Sequence, residues 1–96
     1  MQKKLSDCKA EIRSCKWEEG VVTDTLWFSW DDEWHIIPFR PEGGHIDAPS
    51  GKKRNVWTHV SGTTIEDLTL APSYSCTAPE SHLLHCFIRN GNVVVC

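Results

Sequence analysis

Residues 83–96 read LLHCFIRNGNVVVC, two apolar runs on either side of Asn90-Gly91. Asn-Gly adopts positive φ at both central positions of a type I′ turn with little steric penalty, so this stretch predicts a terminal β-hairpin. Side chains alternate across a strand, which puts Leu83, His85 and Phe87 on one face of the first arm and Leu84, Cys86 and Ile88 on the other. Upstream, VVTDTLWFSW and EWHIIPF carry the same β-branched and aromatic signature and meet at the turn-like Asp31-Asp32, so residues 21–39 predict a second hairpin. Shorter strands are expected at 56–60 and 65–70, the latter stopping before Pro72, with Ser61-Gly62-Thr63 as a turn between them. The fold class that follows is mainly β, a small antiparallel sheet or sandwich-like domain.

Two segments do not declare themselves as strands. In residues 3–16, Leu5, Cys8, Ile12 and Cys15 make an apolar stripe with helical spacing, which predicts one short amphipathic helix within an N-terminal segment, 1–18. The competing reading ends the helix near Ala10 and continues as a strand through Ile12 and Trp17. Residues 40–55 hold two prolines, three glycines and the cations Lys52-Lys53-Arg54, and are expected to form a long loop.

A chain of 96 residues makes one domain, 1–96, with a small core. Its apolar runs fall far short of the roughly 20 residues that cross a bilayer, and MQKKLSDCKAE lacks the apolar stretch of a secretory signal. Five cysteines, Cys8, Cys15, Cys76, Cys86 and Cys96, are odd in number and unpatterned, which points to reduced thiols or a metal site and not to a secreted disulfide framework. A cytoplasmic location is expected, without membrane association. The net charge of −3 is uneven: the basic start gives way to an acidic block, Glu18, Glu19, Asp24, Asp31, Asp32 and Glu33. Such a block is either a solvated face or a surface for a basic partner. With Lys52-Lys53-Arg54 as the only other basic cluster, direct nucleic-acid binding is the less favoured expectation.

Trp57, Gly62, Thr69-Leu70-Ala71-Pro72-Ser73, and His85 with Phe87, Ile88, Gly91 and Val93 form a combined pattern over about residues 25–95. It resembles a family of small uncharacterised bacteriophage and prophage proteins. The resemblance implies a phage-type origin, in a host cytoplasm, and names no reaction. Many relatives carry a Cys-Pro-x-Cys-like element before a His, which looks like part of a zinc site. Here Trp30-Asp31-Asp32-Glu33 stands in its place and only His35 remains.

Three chemistries are weighed. Cys76, His82, His85 and His35 are potential zinc ligands, but His85 and Cys86 are strand neighbours that point to opposite faces. The cofactor expectation is therefore none or one zinc. A thiol enzyme would take Cys86 or Cys76 as nucleophile, His85 or His82 as base and Asp67 as orienting group, yet no strand-to-helix elbow activates such a thiol. The chain is not expected to be an enzyme. The third chemistry is a protein-binding hot spot at Asp24, Trp27, Trp30, Asp31, Asp32, Glu33 and Trp34, where aromatics crowd beside carboxylates; Trp27 and Trp30 lie on opposite strand faces, so one side packs inward and the other is available. The leading expectation is a phage-encoded accessory protein that binds a host or phage macromolecule, as an inhibitor of a host defence system would. The alternative is a zinc-stabilised structural or nucleic-acid-associated domain. Self-association through exposed tryptophans or the edge of the terminal hairpin stays open.

Overall fold

Alternation of large apolar and polar side chains builds two sheets that close on one core. The computed structural model describes residues 2–18, 20–77 and 83–96. Along the chain run β1 (Gln2–Lys4), a 3-10 turn (Leu5–Asp7), β2 (Glu11–Lys16), β3 (Val22–Trp30), β4 (Glu33–Arg40), β5 (Gly44–Asp47), β6 (Lys53–Ser61), β7 (Thr69–Ala71), β8 (Tyr74–Cys76), β9 (Leu84–Arg89) and β10 (Asn92–Val95). The smaller sheet has the order β1-β10-β9-β8, the larger β2-β3-β4-β6-β5, with β7 also on β6. Every pairing is antiparallel except β4 with β6, which run parallel through Phe39↔Trp57 and Arg40↔Thr58.

The core draws on both sheets. Leu26, Phe28 and Trp30 of β3 and Ile37 and Phe39 of β4 meet Leu84, Cys86 and Ile88 of β9 and Val93 of β10, with Leu5, Cys8, Leu68 and Leu70 closing the sides. The mainly β reading of the sequence therefore holds, and so does the terminal hairpin. In β9, Leu84, Cys86 and Ile88 are buried while His85 is exposed and Phe87 half-exposed.

The helix expected in residues 3–16 does not form. Gln2–Lys4 instead pair with β10 as an edge strand, the Leu5 N–H donates to the Gly91 carbonyl at 2.8 Å, and Glu11–Lys16 pair with Val22–Trp27. Leu5 and Cys8 still face the core, delivered by a single 3-10 turn, and Lys9 at φ 52° sits in a conformation no helix interior tolerates. Ladder partners on two different sheets override a local helical spacing. The reading that turned from helix to strand near Ala10 is the closer one.

The long loop expected at 40–55 is corrected as well. β5 pairs with the start of β6, from Gly44↔Val56 to Asp47↔Lys53, which buries Ile46 and Val56. The connection shrinks to a turn in which the Ala48 N–H donates to the Lys52 carbonyl and the Gly51 N–H to the Ala48 carbonyl. Of the strand expected at 65–70, only Thr69 and Leu70 belong to β7. Before it, the Asp67 carboxylate accepts the N–H groups of Thr63 and Thr64 and the Thr64 hydroxyl. Those hydrogen bonds, the Thr64 N–H foremost, hold the Asp67 carboxyl below its ordinary range. Among the described residues, no helix is long and apolar enough to cross a membrane.

Candidate functional site

The β3–β4 hairpin closes on a two-residue loop, with Trp30 opposite Glu33 and Asp31 and Asp32 at φ 51° and 62°. Positive φ at both central positions defines a type I′ turn, whose twist matches that of the flanking strands. Aspartate tolerates this region better than most residues because its short side chain can hydrogen-bond locally. Both aspartates are exposed, and they project the hairpin end into solvent.

Strand alternation sorts the tryptophans. Trp30 lies on the inward face with Leu26 and Phe28 and is only 9% exposed, whereas Trp34 is 52% exposed and Ile36, two residues on, is 40% exposed. On that outward face Trp34 stands opposite Ser29 and Ile36 opposite Trp27. Trp27 is half-buried beneath the Arg13 guanidinium, 4.8 Å from its ring centroid. Asp24 sits six residues along β3 from Trp30, roughly 20 Å away, where it lines a small cavity with Ile12, Phe39, His59 and Leu68.

The seven residues singled out from the sequence thus divide. Asp31, Asp32, Glu33 and Trp34 gather at the hairpin end, Trp27 flanks them, Trp30 belongs to the core and Asp24 to the far end. Ile36 joins the surface unannounced, although the period of two counted from Trp34 would have found it. The acidic end is not isolated from positive charge, for Asp31 and Asp32 line a shallow cleft of about 310 Å³ with Lys3, Asp7 and Lys9. Tertiary folding brings the basic start of the chain beside its acidic block.

The proposed metal ligands are distributed differently. His82 lies outside the described residues. His35 is buried, stacks on Phe28 at 5.4 Å between ring centroids, and shares a 2.9 Å hydrogen bond between Nδ1 and the Tyr74 hydroxyl. Burial, then the neighbouring Cys76 thiol, drives the Tyr74 hydroxyl well above its ordinary range. Tyr74, which no sequence signal marked, therefore joins His35 to Cys76 beneath the smaller sheet. His85 projects from the opposite face of β9 and shares a 3.2 Å hydrogen bond with the Ser73 hydroxyl. Among the described residues, no three His, Cys, Asp or Glu side chains converge on a metal-sized position.

As for the thiol chemistry, burial and then the neighbouring Cys96 push Cys86 up to about 12, so this sulfur stays protonated at neutral pH and lacks nucleophilic character. The Asp67 carboxylate is occupied by its own turn. Compared with protein-family models, with curated proteins and with solved structures, the chain finds no match in any of the three.

Proposed function

We propose that this chain is a small accessory protein, of the phage-encoded kind its sequence pattern resembles, that works by binding a macromolecular partner and not by catalysis. The contact is the end and outward face of the β3–β4 hairpin: Trp34 and Ile36, with Asp31 and Asp32 beside them. One observation carries the reading. Trp34 keeps 52% of its surface exposed although Trp30, four residues earlier across the turn, is buried. A large aromatic left in solvent next to an aliphatic side chain and a rim of carboxylates has the composition of an interface hot spot. The partner is a protein, met in the cytoplasm of a host cell, and inhibition of a host defence component is the role that fits such a small binding module.

Pull-down from host-cell extract with wild type, Trp34→Ala and Val22→Ser tests this. Val22 is exposed at the other end of β3 and serves as the control. A partner bound through the hairpin should lose about 30-fold in affinity with Trp34→Ala and keep its affinity with Val22→Ser. Retention of every partner by Trp34→Ala would remove the proposed surface.

A further inference from the structure

Three buried polar atoms have no hydrogen-bond partner among the described residues: Thr25 Oγ1, Trp27 Nε1 and Arg54 Nε. All three belong to the outward face of the larger sheet. Thr25 and Trp27 alternate with the core residues Leu26 and Phe28 on β3. Arg54 alternates with Trp57, which packs on the core, and its guanidinium lies 4.2 Å from the ring centroid of Trp17. The Trp17 indole donates to Thr23 Oγ1 at 2.9 Å, and Thr23 is the next residue on the same face of β3 before Thr25. Arg13 stands directly across from Thr25, and its guanidinium covers Trp27. Two guanidinium groups, one of them with an unmet N–H, therefore share this face with the unmet indole of Trp27 and the unmet hydroxyl of the fully buried Thr25.

The chemistry of the unmet atoms is one-sided. Indole and guanidinium N–H groups only donate, and a threonine hydroxyl donates as readily as it accepts. Buried donors without acceptors are uncommon, because each forfeits its hydrogen bonds to water. The one carboxylate among the described residues of this face, Glu11, stands across from Trp27 and is paired with Arg13; none meets the three unmet atoms, and the two guanidinium groups specify a negative ligand. A carboxylate brings two oxygens; three separate donors match a group with three. Among the described residues no carboxylate pairs with Arg54. Of the cluster Lys52-Lys53-Arg54, only Arg54 is drawn into this face.

We infer that the outward face around Thr25, Trp27 and Arg54 is a binding site for an oxyanion of the phosphate class, with Arg13 as its movable cover. The Arg13 side chain is 58% exposed, so rotation about its own bonds admits the ligand without disturbing the sheet.

The test is thermal melting of the full chain in inorganic phosphate, with sodium chloride matched for ionic strength, on wild type, Thr25→Val and Arg54→Met. Wild type should gain about 5–10 °C at tenfold saturation, and chloride should give no such rise. Arg54→Met should abolish the gain. Thr25→Val should melt higher than wild type without phosphate, since it deletes an unmet hydroxyl, and bind phosphate about tenfold more weakly. This opposed pair of shifts keeps the test decisive even where Arg54→Met folds poorly. A second arm with adenosine monophosphate separates a phosphate ester, which binds more tightly than the free anion, from inorganic phosphate itself. An equal rise in chloride, no rise with phosphate, or a wild-type phosphate response in Thr25→Val would overturn the site.

Discussion

Two hairpins in this molecule share one turn geometry and use it in opposite ways. The β9–β10 turn carries Asn90 and Gly91 at φ 48° and 74°, and the β3–β4 turn carries Asp31 and Asp32 at 51° and 62°. Gly91 is buried; its N–H donates to the Leu68 carbonyl, its carbonyl accepts from Leu5, and a Cβ there would collide with the backbone of Glu66 and Ile65. Asp31 and Asp32 are exposed. A turn enclosed by other segments needs glycine for space as well as for conformation, whereas a turn in solvent needs only tolerance of positive φ. The free turn can therefore carry charge, and charge is what a contact surface uses.

The largest expected effect tests this contrast directly. Gly91→Val should destabilise the fold by more than about 4 kcal/mol, because a branched side chain meets backbone atoms at positive φ, while Asp32→Ala at the matching position should change stability by less than about 1 kcal/mol. Urea denaturation of both variants measures the difference, and similar losses would break the comparison.

Within the exposed hairpin the next contrast is between faces. Trp30→Ala should remove about 3–4 kcal/mol, as a truncated core aromatic does, whereas Trp34→Ala should remove under about 1 kcal/mol and keep the native spectrum. Equal losses would show that Trp34 serves the fold and not a partner.

The smaller sheet adds a pH dependence through its buried thiol. Cys86 rises from 9.0 to about 12 in the folded chain. Between those values the unfolded chain has released this proton and the native chain still holds it, so the stability it contributes is complete below pH 9 and is lost as pH climbs towards about 12. Melting followed from pH 8 to about 10 should show this decline, and Cys86→Ala should reduce it.

The smallest effect has the opposite sign. Asp32→Gly should stabilise the β3–β4 turn by up to about 1 kcal/mol, because glycine adopts its φ freely. If it stabilised further than that, the aspartate would be under more strain than an open turn implies.

Much of the fold was legible where the decisive interactions are local. Asn90-Gly91 and Asp31-Asp32 marked both turns, and the period of two set Leu84, Cys86 and Ile88 against His85 in LLHCFIR and Trp27 against Trp30 in the Trp-rich strand, without showing that Trp30 was the buried one. The candidate site was legible in part, since four of its carboxylate and tryptophan positions coincide at one hairpin end. The N-terminal stripe misled because i, i+3 and i+7 spacing also suits a 3-10 turn followed by a strand, and the choice between them rests on partners far along the chain: β10 for Gln2–Lys4 and β3 for Glu11–Lys16.

By itself the sequence determined the two hairpin segments, 21–39 and 83–96, the positions of their turns and the alternation of their faces, because each depends on a residue and its neighbours within a few positions. Only the tertiary structure decided which face met the core, that β5 replaced a loop, that Lys3 and Lys9 came to lie beside Asp31 and Asp32, and that Arg54 crossed to Trp17. These are meetings of residues distant in sequence, and they follow from how two sheets share one small core, which no local pattern encodes.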